Sequence, residues 1–332
     1  MVASMEYEYT PENCPECEGK GWGGGEDTDG ETCPGCGLAG EMYRASVDQS
    51  REDFVRSEKL IRTTNRDDLR SSHGRVGRYY QWKNEFYISV TNAIKNGLPA
   101  PALMYWTGRT VAEFVADNLD EVVDLAGRMD RSELVTFLKN QPWKKRDKAG
   151  DIGSTVHELA EAYALGQPVD LSQYEPKIQA LARQFVDFMD TVKPDIYAIE
   201  GVVFNREHRY AGAFDFIFDF DYPEGILTGR SIVDVKTGSG IYPEAALQQT
   251  AYRHGEFIAV GDEEVPMPEV DGAFCLHLRP KSWKLIPVVT SDTSWQVFLS
   301  CLETARWVHN DGMGGKEQSV GIPYLSSSDD DG

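Results

Sequence analysis

The segment from residue 196 to residue 238 constrains the fold more than any other part of the chain. It contains three short runs, IYAIEGVVFN, YAGAFDFIFDF and GRSIVDVKTG, which are rich in Val, Ile, Phe and Tyr and are separated by turn residues. Such runs are typical of neighbouring strands. Segments with helical patterning lie before and after them, and this order predicts an α/β core with a central mixed sheet flanked by helices.

Composition divides the 332-residue chain into four parts. Residues 1–45 are rich in glycine, acidic residues and cysteine, and they are predicted to be a separate small appendage. Residues 46–85 are polar, which predicts a linker or a helical connection. Residues 86–312 carry the α/β patterning and form the predicted main domain, and residues 313–332 are predicted to be a disordered acidic tail.

The net charge of −21 argues at first sight against nucleic-acid binding, which requires Lys and Arg. However, residues 1–50 alone hold 11 acidic and 2 basic residues, and net charge does not describe what a local cleft binds. No stretch approaches the roughly 20 apolar residues of a membrane span. The first residues also lack the pattern of a signal peptide, so we expect a cytoplasmic protein with no membrane partner.

Charged side chains fall at matching places on the three predicted strands. Asp234 and Lys236 lie two residues apart, so their side chains point to the same face. Alone, they fit a surface ion pair worth about 0–1 kcal/mol, or part of a metal-dependent hydrolytic site. Asp215 and Glu200 lie on the two preceding predicted strands. If these strands pair antiparallel, the carboxylates converge and require a cation, and Mg²⁺ or Mn²⁺ suits such oxygen ligands.

Five stretches carry a resemblance to a known family. In chain order they are GSTVHELAEAY, IEGVVF, YAGAFDFIFD, IVDVKTG and EAALQQTAYRH, and they resemble the successive motifs of RecB-like nucleases of the PD-(D/E)XK superfamily. An upstream stretch is similar to the helical lead-in of phage-encoded and CRISPR-associated RecB-like exonucleases, namely SVTNAIKNGLPAPALMYWTGRTVAEFV. The resemblance covers about residues 86–300. It implies a restriction-endonuclease-like core and a Mg²⁺- or Mn²⁺-dependent DNA exonuclease that acts in phage or mobile-element recombination, repair or replication.

The same resemblance implies roles for individual residues. The metal ligands would be His157, Asp215, Asp234 and the backbone carbonyl of Val235, and Lys236 would be the catalytic lysine. Gln248 and Tyr252 match the family's helical Gln-x-x-x-Tyr, which lines the site and contacts DNA; their spacing places them on one helix face. Glu200 matches a secondary acidic position, and Phe214 stands where the superfamily's name has Pro. Glu158 and Glu161 are expected on the helix surface.

Four cysteines near the N-terminus form two Cys-x2-Cys pairs separated by fifteen residues, and they are Cys14, Cys17, Cys33 and Cys36. This spacing predicts a structural zinc site. The two units also resemble those of the DnaJ zinc-binding region. Some CRISPR-associated relatives bind an iron–sulfur cluster instead, but their cysteines bracket the nuclease motifs. A recombinase, a single-strand-binding protein and a helicase are candidate partners for the zinc unit, while Cys275 and Cys301 are expected in the core.

Three basic or aromatic groups are candidates for DNA contact. Arg62, Arg66 and Arg70 recur every four residues, which fits either a DNA-contacting helix face or a solvated one. The basic run 144–148 precedes the helix of His157 and is predicted to contact phosphates. Tryptophans at positions 82, 106 and 143 fit either base stacking or the core.

An exonuclease is the leading functional prediction, because the sequence contains no segment typical of a sequence-reading module. A structure-specific DNA endonuclease is the alternative within enzymes. A non-catalytic DNA- or protein-binding subunit with a nuclease-like fold is the alternative outside them.

Overall fold

The computed structural model describes residues 56–73, 77–222, 225 and 227–310. The four cysteines of the predicted zinc site and the predicted acidic tail lie outside these residues, so both remain predictions.

The described residues form an α/β structure in which helices flank a mixed sheet. The strands are β1 (Arg56–Arg62), β2 (Arg70–His73), β3 (Gly77–Trp82), β4 (Glu85–Ser89), β5 (Asp195–Asn205), β6 (Tyr210–Tyr222), β7 (Leu227–Lys236), β8 (Phe257–Val260), β9 (Glu263–Pro266), β10 (Gly272–Arg279) and β11 (Ser282–Pro287). The helices are α1 (Arg66–Leu69), α2 (Val90–Gly97), α3 (Pro101–Asp117), α4 (Leu119–Arg128), α5 (Arg131–Lys139), α6 (Gln141–Ala164), α7 (Pro176–Val192), α8 (Glu244–Arg253) and α9 (Asp292–Asn310). Among the described helices, none has the length and apolarity to cross a membrane.

The three strands predicted from 196–238 are confirmed as the neighbours β5, β6 and β7. Both pairings are antiparallel, β5 with β6 and β6 with β7. Strand β10 adds to β7 in parallel. The sequence of residues 272–289 predicts a hairpin around Pro280 and Lys281, and the antiparallel pair β10–β11 confirms it. The sheet is therefore mixed, as the alternation of helices and strands indicates.

The segment 46–85 is not a linker or a helical connection where the structure describes it. It supplies β1, which pairs in parallel with β5, and the antiparallel strands β2 and β3. Strand β3 joins β4 through Lys83 and Asn84, both with positive φ, as a two-residue hairpin turn requires. Alternate side chains of β3, Tyr80 and Trp82, are buried, whereas the polar residues Arg78 and Gln81 obscure the strand pattern in the sequence.

Helix α6 begins earlier than the sequence predicts. The sequence predicts a helix over 151–166, with Ser154 or Thr155 as its N-terminal signal and Gly166 at its end. In the structure the helix runs from Gln141, with Pro142 in its first turn, where a missing N–H costs nothing. The basic run 144–148 consequently lies within the helix and not in a turn. The predicted end is confirmed, because the helix stops at Ala164 and Gly166 adopts a φ of 70°.

Helices cover both faces of the sheet. Helices α6 and α7 pack on one face, where Phe185 of α7 stacks on Phe216 of β6 with ring centroids 5.5 Å apart. Helices α2, α8 and α9 pack on the opposite face around Ile217 and Ile232. The buried Cys275 and Cys301 confirm their predicted place in the core.

The sheet divides at the middle of its two longest strands. On one edge of β6, β4 pairs with residues 210–211 and β7 pairs with residues 216–222, so residues 212–215 lie between the two ladders. On one edge of β5, β1 pairs with residues 196–199 and β8 with residues 202–204, so Glu200 and Gly201 lie between. We call this place the sheet split, and it positions the candidate site.

Candidate metal centre

Three potential metal ligands from three elements converge at the sheet split. Nδ1 of His157, on α6, lies 3.2 Å from Oδ1 of Asp215, on β6. Glu200 of β5 completes a group whose potential ligand atoms all lie within 4.8 Å of one another. Two atoms that bind one Mg²⁺ at about 2.1 Å and at right angles are about 3.0 Å apart. The separation of His157 and Asp215 therefore fits adjacent ligands of one divalent ion.

Backbone irregularity aims Glu200 at this group. Its φ of 49° is unusual for a residue other than glycine, and such strain clusters at functional sites. In a regular strand, residues four apart point to the same face of the sheet. Ile199 packs under α6 and α7, whereas Val203 packs under α8 on the opposite face, so the alternation of faces reverses between them. Gly201 follows because a Cβ there would lie 2.2 Å from the ring of Phe214.

Asp215 is held by the chain as well as by His157. Its Oδ2 accepts a hydrogen bond of 2.7 Å from the backbone N–H of Val235, which lies two residues beyond the last β7 residue paired with β6. Burial raises the pKa of this carboxyl, but the nearby His157 and Lys236 and the Val235 N–H together bring the pKa below its usual value. The predicted role of the Val235 carbonyl as a ligand remains a prediction.

Asp234 follows the last residue paired with β6 and is 3% exposed. Its buried Oδ2 forms an ion pair with the ammonium of Lys236. Burial and the neighbouring Asp215 hold the pKa of Asp234 above its usual value. The sequence predicts Asp234 as a metal ligand and Glu200 as a secondary acidic residue. In the structure, the compact group of potential ligands contains Glu200 and not Asp234.

Lys236 and His157 are the titratable cations of the site. Burial lowers the pKa of Lys236, but Asp234 and Asp215 outweigh it and leave the pKa raised, which favours the ammonium form. Burial also opposes the charge on His157, and Asp215 and Asp234 nevertheless raise its pKa. The pKa shifts of both groups therefore favour positive charge beside the carboxylates.

The predicted pair on α8 connects to the site through Lys236. Nζ of Lys236 donates to Oε1 of Gln248 at 3.4 Å, and Nε2 of Gln248 donates to the hydroxyl of Tyr252 at 2.7 Å. Tyr252 is only 1% exposed, so it lies behind Gln248 and does not face solvent. The contact of Tyr252 with DNA stays a prediction, and the contacts that the structure shows fit a residue that positions Gln248.

Sequence reasoning missed a network of arginines beside the site. Glu161 was expected on the helix surface, but it is 7% exposed and accepts hydrogen bonds from Arg62 and Arg66. Arg66 also forms an ion pair with Glu200. The spacing of Glu161, four residues after His157 on α6, was the available signal. Arg62 and Arg66 do not share a helix face, because Arg62 ends β1 and Arg66 begins α1.

The basic run of α6 lies on the side that faces α3. Lys144, Lys145 and Lys148 line a cavity of about 340 Å³ together with residues of α3, and Lys145 pairs with Glu113 at 3.7 Å. The predicted phosphate contact of this run remains a prediction. Trp143 is partly exposed beneath the guanidinium of Arg146, whereas Trp82 is buried in the core.

Comparison with known proteins adds no family assignment. Neither a protein-family model nor a curated protein matches the sequence.

Proposed function

We propose that this protein is a metal-dependent deoxyribonuclease with a PD-(D/E)XK-type core, and more specifically an exonuclease. The observation that carries the proposal is the convergence of His157, Glu200 and Asp215 at the sheet split, with Asp234 and Lys236 immediately beside them. A structural ion pair would not require three acidic side chains from three adjacent strands. Carboxylates gathered in this way repel one another unless cations neutralise them.

The chemistry of these residues fits Mg²⁺ or Mn²⁺. Carboxylate oxygens with one imidazole suit these hard or borderline ions. The buried Oδ2 of Asp234, in contact with the ammonium of Lys236, is a further carboxylate oxygen beside this group. His157, Glu200 and Asp215 would hold the ion, and Asp234 lies next to Asp215 across the β6–β7 pair. A bound ion supplies polarisation of a phosphoryl oxygen and a lower pKa for an attacking water.

The protein's own residues then act on the charge of a phosphodiester. Asp234 and Asp215 raise the pKa of Lys236, which favours its ammonium form and suits it to stabilise negative charge in the transition state. Gln248 orients this ammonium through its Oε1, and Tyr252 holds the other end of the Gln248 amide. Asp215 holds the C-terminal end of β7 in place through the N–H of Val235.

The substrate assay uses end-labelled linear duplex, single-stranded and closed circular DNA, each with Mg²⁺ or Mn²⁺. Cleavage of linear but not circular DNA is expected for an exonuclease. Cleavage confined to branched or gapped DNA would instead indicate a structure-specific endonuclease. If no DNA is cleaved with any metal, the enzyme proposal fails and a non-catalytic binding subunit becomes the better explanation.

Matched variants separate the site from the scaffold. Asp234→Ala, Asp215→Asn and Lys236→Ala are each expected to abolish cleavage while the far-ultraviolet circular dichroism stays that of the wild type. Asp221→Asn is the control, because Asp221 lies on the same strand as Asp215 but is exposed. An active Lys236→Ala variant would contradict the role given to the lysine.

A further inference from the structure

Arg66 links two buried carboxylates at the candidate metal centre. Its guanidinium forms an ion pair with Oε2 of Glu200, and its Nη2 lies 3.2 Å from Oε2 of Glu161. Both carboxylates are nearly buried, with side-chain exposures of 9% and 10%, while the Arg66 side chain is 25% exposed. Arg66 is thus a cation held at the rim of the site, with a path to solvent.

Glu200 has two competing uses. It belongs to the group whose ligand atoms lie within 4.8 Å of one another, and it is also the partner of Arg66. A guanidinium in contact with a carboxylate neutralises the charge that would attract a divalent ion, and it repels that ion directly. Arg66 and a divalent ion therefore compete for the carboxylate of Glu200.

Arg62 provides an internal comparison. It also binds Glu161, with Nε 2.9 Å from Oε1, but the structure gives it no contact with Glu200. The two arginines therefore share one partner and differ in the second. Loss of either leaves Glu161 with one arginine, whereas only loss of Arg66 frees Glu200.

We propose that Arg66 is a built-in competitor for the metal, which occupies Glu200 and is displaced when a divalent ion recruits that carboxylate. This inference rests on the proposed metal centre and deepens it, because it makes Glu200 a ligand that is available only after an exchange of partners. Glu161 keeps the displaced arginine close by retaining its second contact. Arg66 is in this account a positioning residue and not a catalytic one.

The test measures Mn²⁺ binding to the full chain at fixed neutral pH, by the electron paramagnetic resonance signal of free Mn²⁺, with no DNA present. Arg66→Gln is expected to bind Mn²⁺ at least about 10-fold more tightly than the wild type, which corresponds to about 1.4 kcal/mol. Arg62→Gln, the matched control, is expected to stay close to the wild-type affinity. Adding Glu200→Gln to Arg66→Gln should remove the gain.

The outcomes separate this inference from the proposed function. Equal or weaker Mn²⁺ binding by Arg66→Gln, or an equal gain in Arg62→Gln, overturns the competition. Binding that is insensitive to Asp215→Asn sinks the metal centre itself, and absence of DNA cleavage despite normal Mn²⁺ binding sinks only the nuclease. If Arg66→Gln does not fold, Arg66→Lys replaces it in the test. Lysine keeps the charge but lacks the guanidinium fork, so the Mn²⁺ affinity of Arg66→Lys should lie between that of the wild type and that expected for Arg66→Gln.

Discussion

Removing the hydroxyl of Tyr252 tests whether α8 holds the ammonium of Lys236 in position. In Tyr252→Phe, Nε2 of Gln248 loses the acceptor that it contacts at 2.7 Å, while the buried ring remains. Tyr210→Phe is a close match, because Tyr210 is equally buried and donates at 2.8 Å to the carbonyl of Ala251, the neighbouring residue of the same helix. Only Tyr252 connects to Lys236 through Gln248.

Each variant is expected to lose about 1 kcal/mol of the free energy of unfolding, the usual net value of one buried neutral hydrogen bond. Their activities should differ, however. A loosened Gln248 lets the ammonium of Lys236 leave its place, and displacement of a positioning group by about 1 Å lowers a rate by up to about 100-fold. We expect kcat of Tyr252→Phe to fall about 10-fold or more on that basis, with KM nearly unchanged.

Urea unfolding measures the stability of both variants, and release of labelled nucleotides from linear DNA measures their rates. Equal rates for Tyr252→Phe and Tyr210→Phe would refute the positioning role of Tyr252. A fall in the rate of Tyr210→Phe alone would show that general loosening of α8 matters more than Gln248. If the wild type does not cleave DNA, the stability comparison still tests the two hydrogen bonds.

Three further predictions concern the scaffold. Thr63→Val should lower the free energy of unfolding, measured in urea, by about 2 kcal/mol, because the Thr63 hydroxyl bridges a buried amide of β5 and a buried carbonyl of β8. Thr63→Ser keeps the hydroxyl and should retain most of the wild-type stability. Arg230→Lys should lower the free energy of unfolding by about 1 kcal/mol, because it removes a two-point contact with Asp219 and the stacking of the guanidinium on the Tyr197 ring. A urea unfolding midpoint equal to that of the wild type would refute this prediction. Hydrogen bonds from Arg206, Trp82 and Lys83 lower the pKa of Glu264 to about 2 from 4.5, so its stabilising contribution is complete above the higher value and is lost as pH falls towards the lower one. Glu264→Gln should therefore flatten the pH dependence of thermal stability across that range, and an unchanged profile would contradict the lowered pKa.

The central strands were predictable because their local chemistry agrees with their place in the fold. β-branched and aromatic residues mark β5 to β7, and the antiparallel pairing assumed for them aligns Asp215 with the end of β7. The same reasoning failed for β1 to β3, whose polar residues weaken the alternation of buried and exposed positions. Strands of that kind are specified by the sheet they join, which a local pattern does not contain.

The charge network around the site depended on contacts far apart in sequence. Arg62 and Glu161 are separated by 99 positions, and no local motif predicts that they meet. The positive φ of Glu200 is likewise imposed by the sheet split, since a glutamate has no local preference for it. Sequence therefore proposes candidate side chains for the site, while the tertiary structure decides which of them are paired with one another.

The sheet split also has a consequence for the order of folding. Residues 196–199 of β5 and 216–222 of β6 pair with β1 and β7, whereas 202–204 of β5 and 210–211 of β6 pair with β8 and β4. The ligand group lies between these ladders, so its geometry depends on both of them. Contacts of such long sequence separation form late, because the entropy of closing the intervening loops must be overcome first. We expect the refolding chain to gain sheet structure before it acquires affinity for Mn²⁺, so that capture of the ion marks the final stage of assembly.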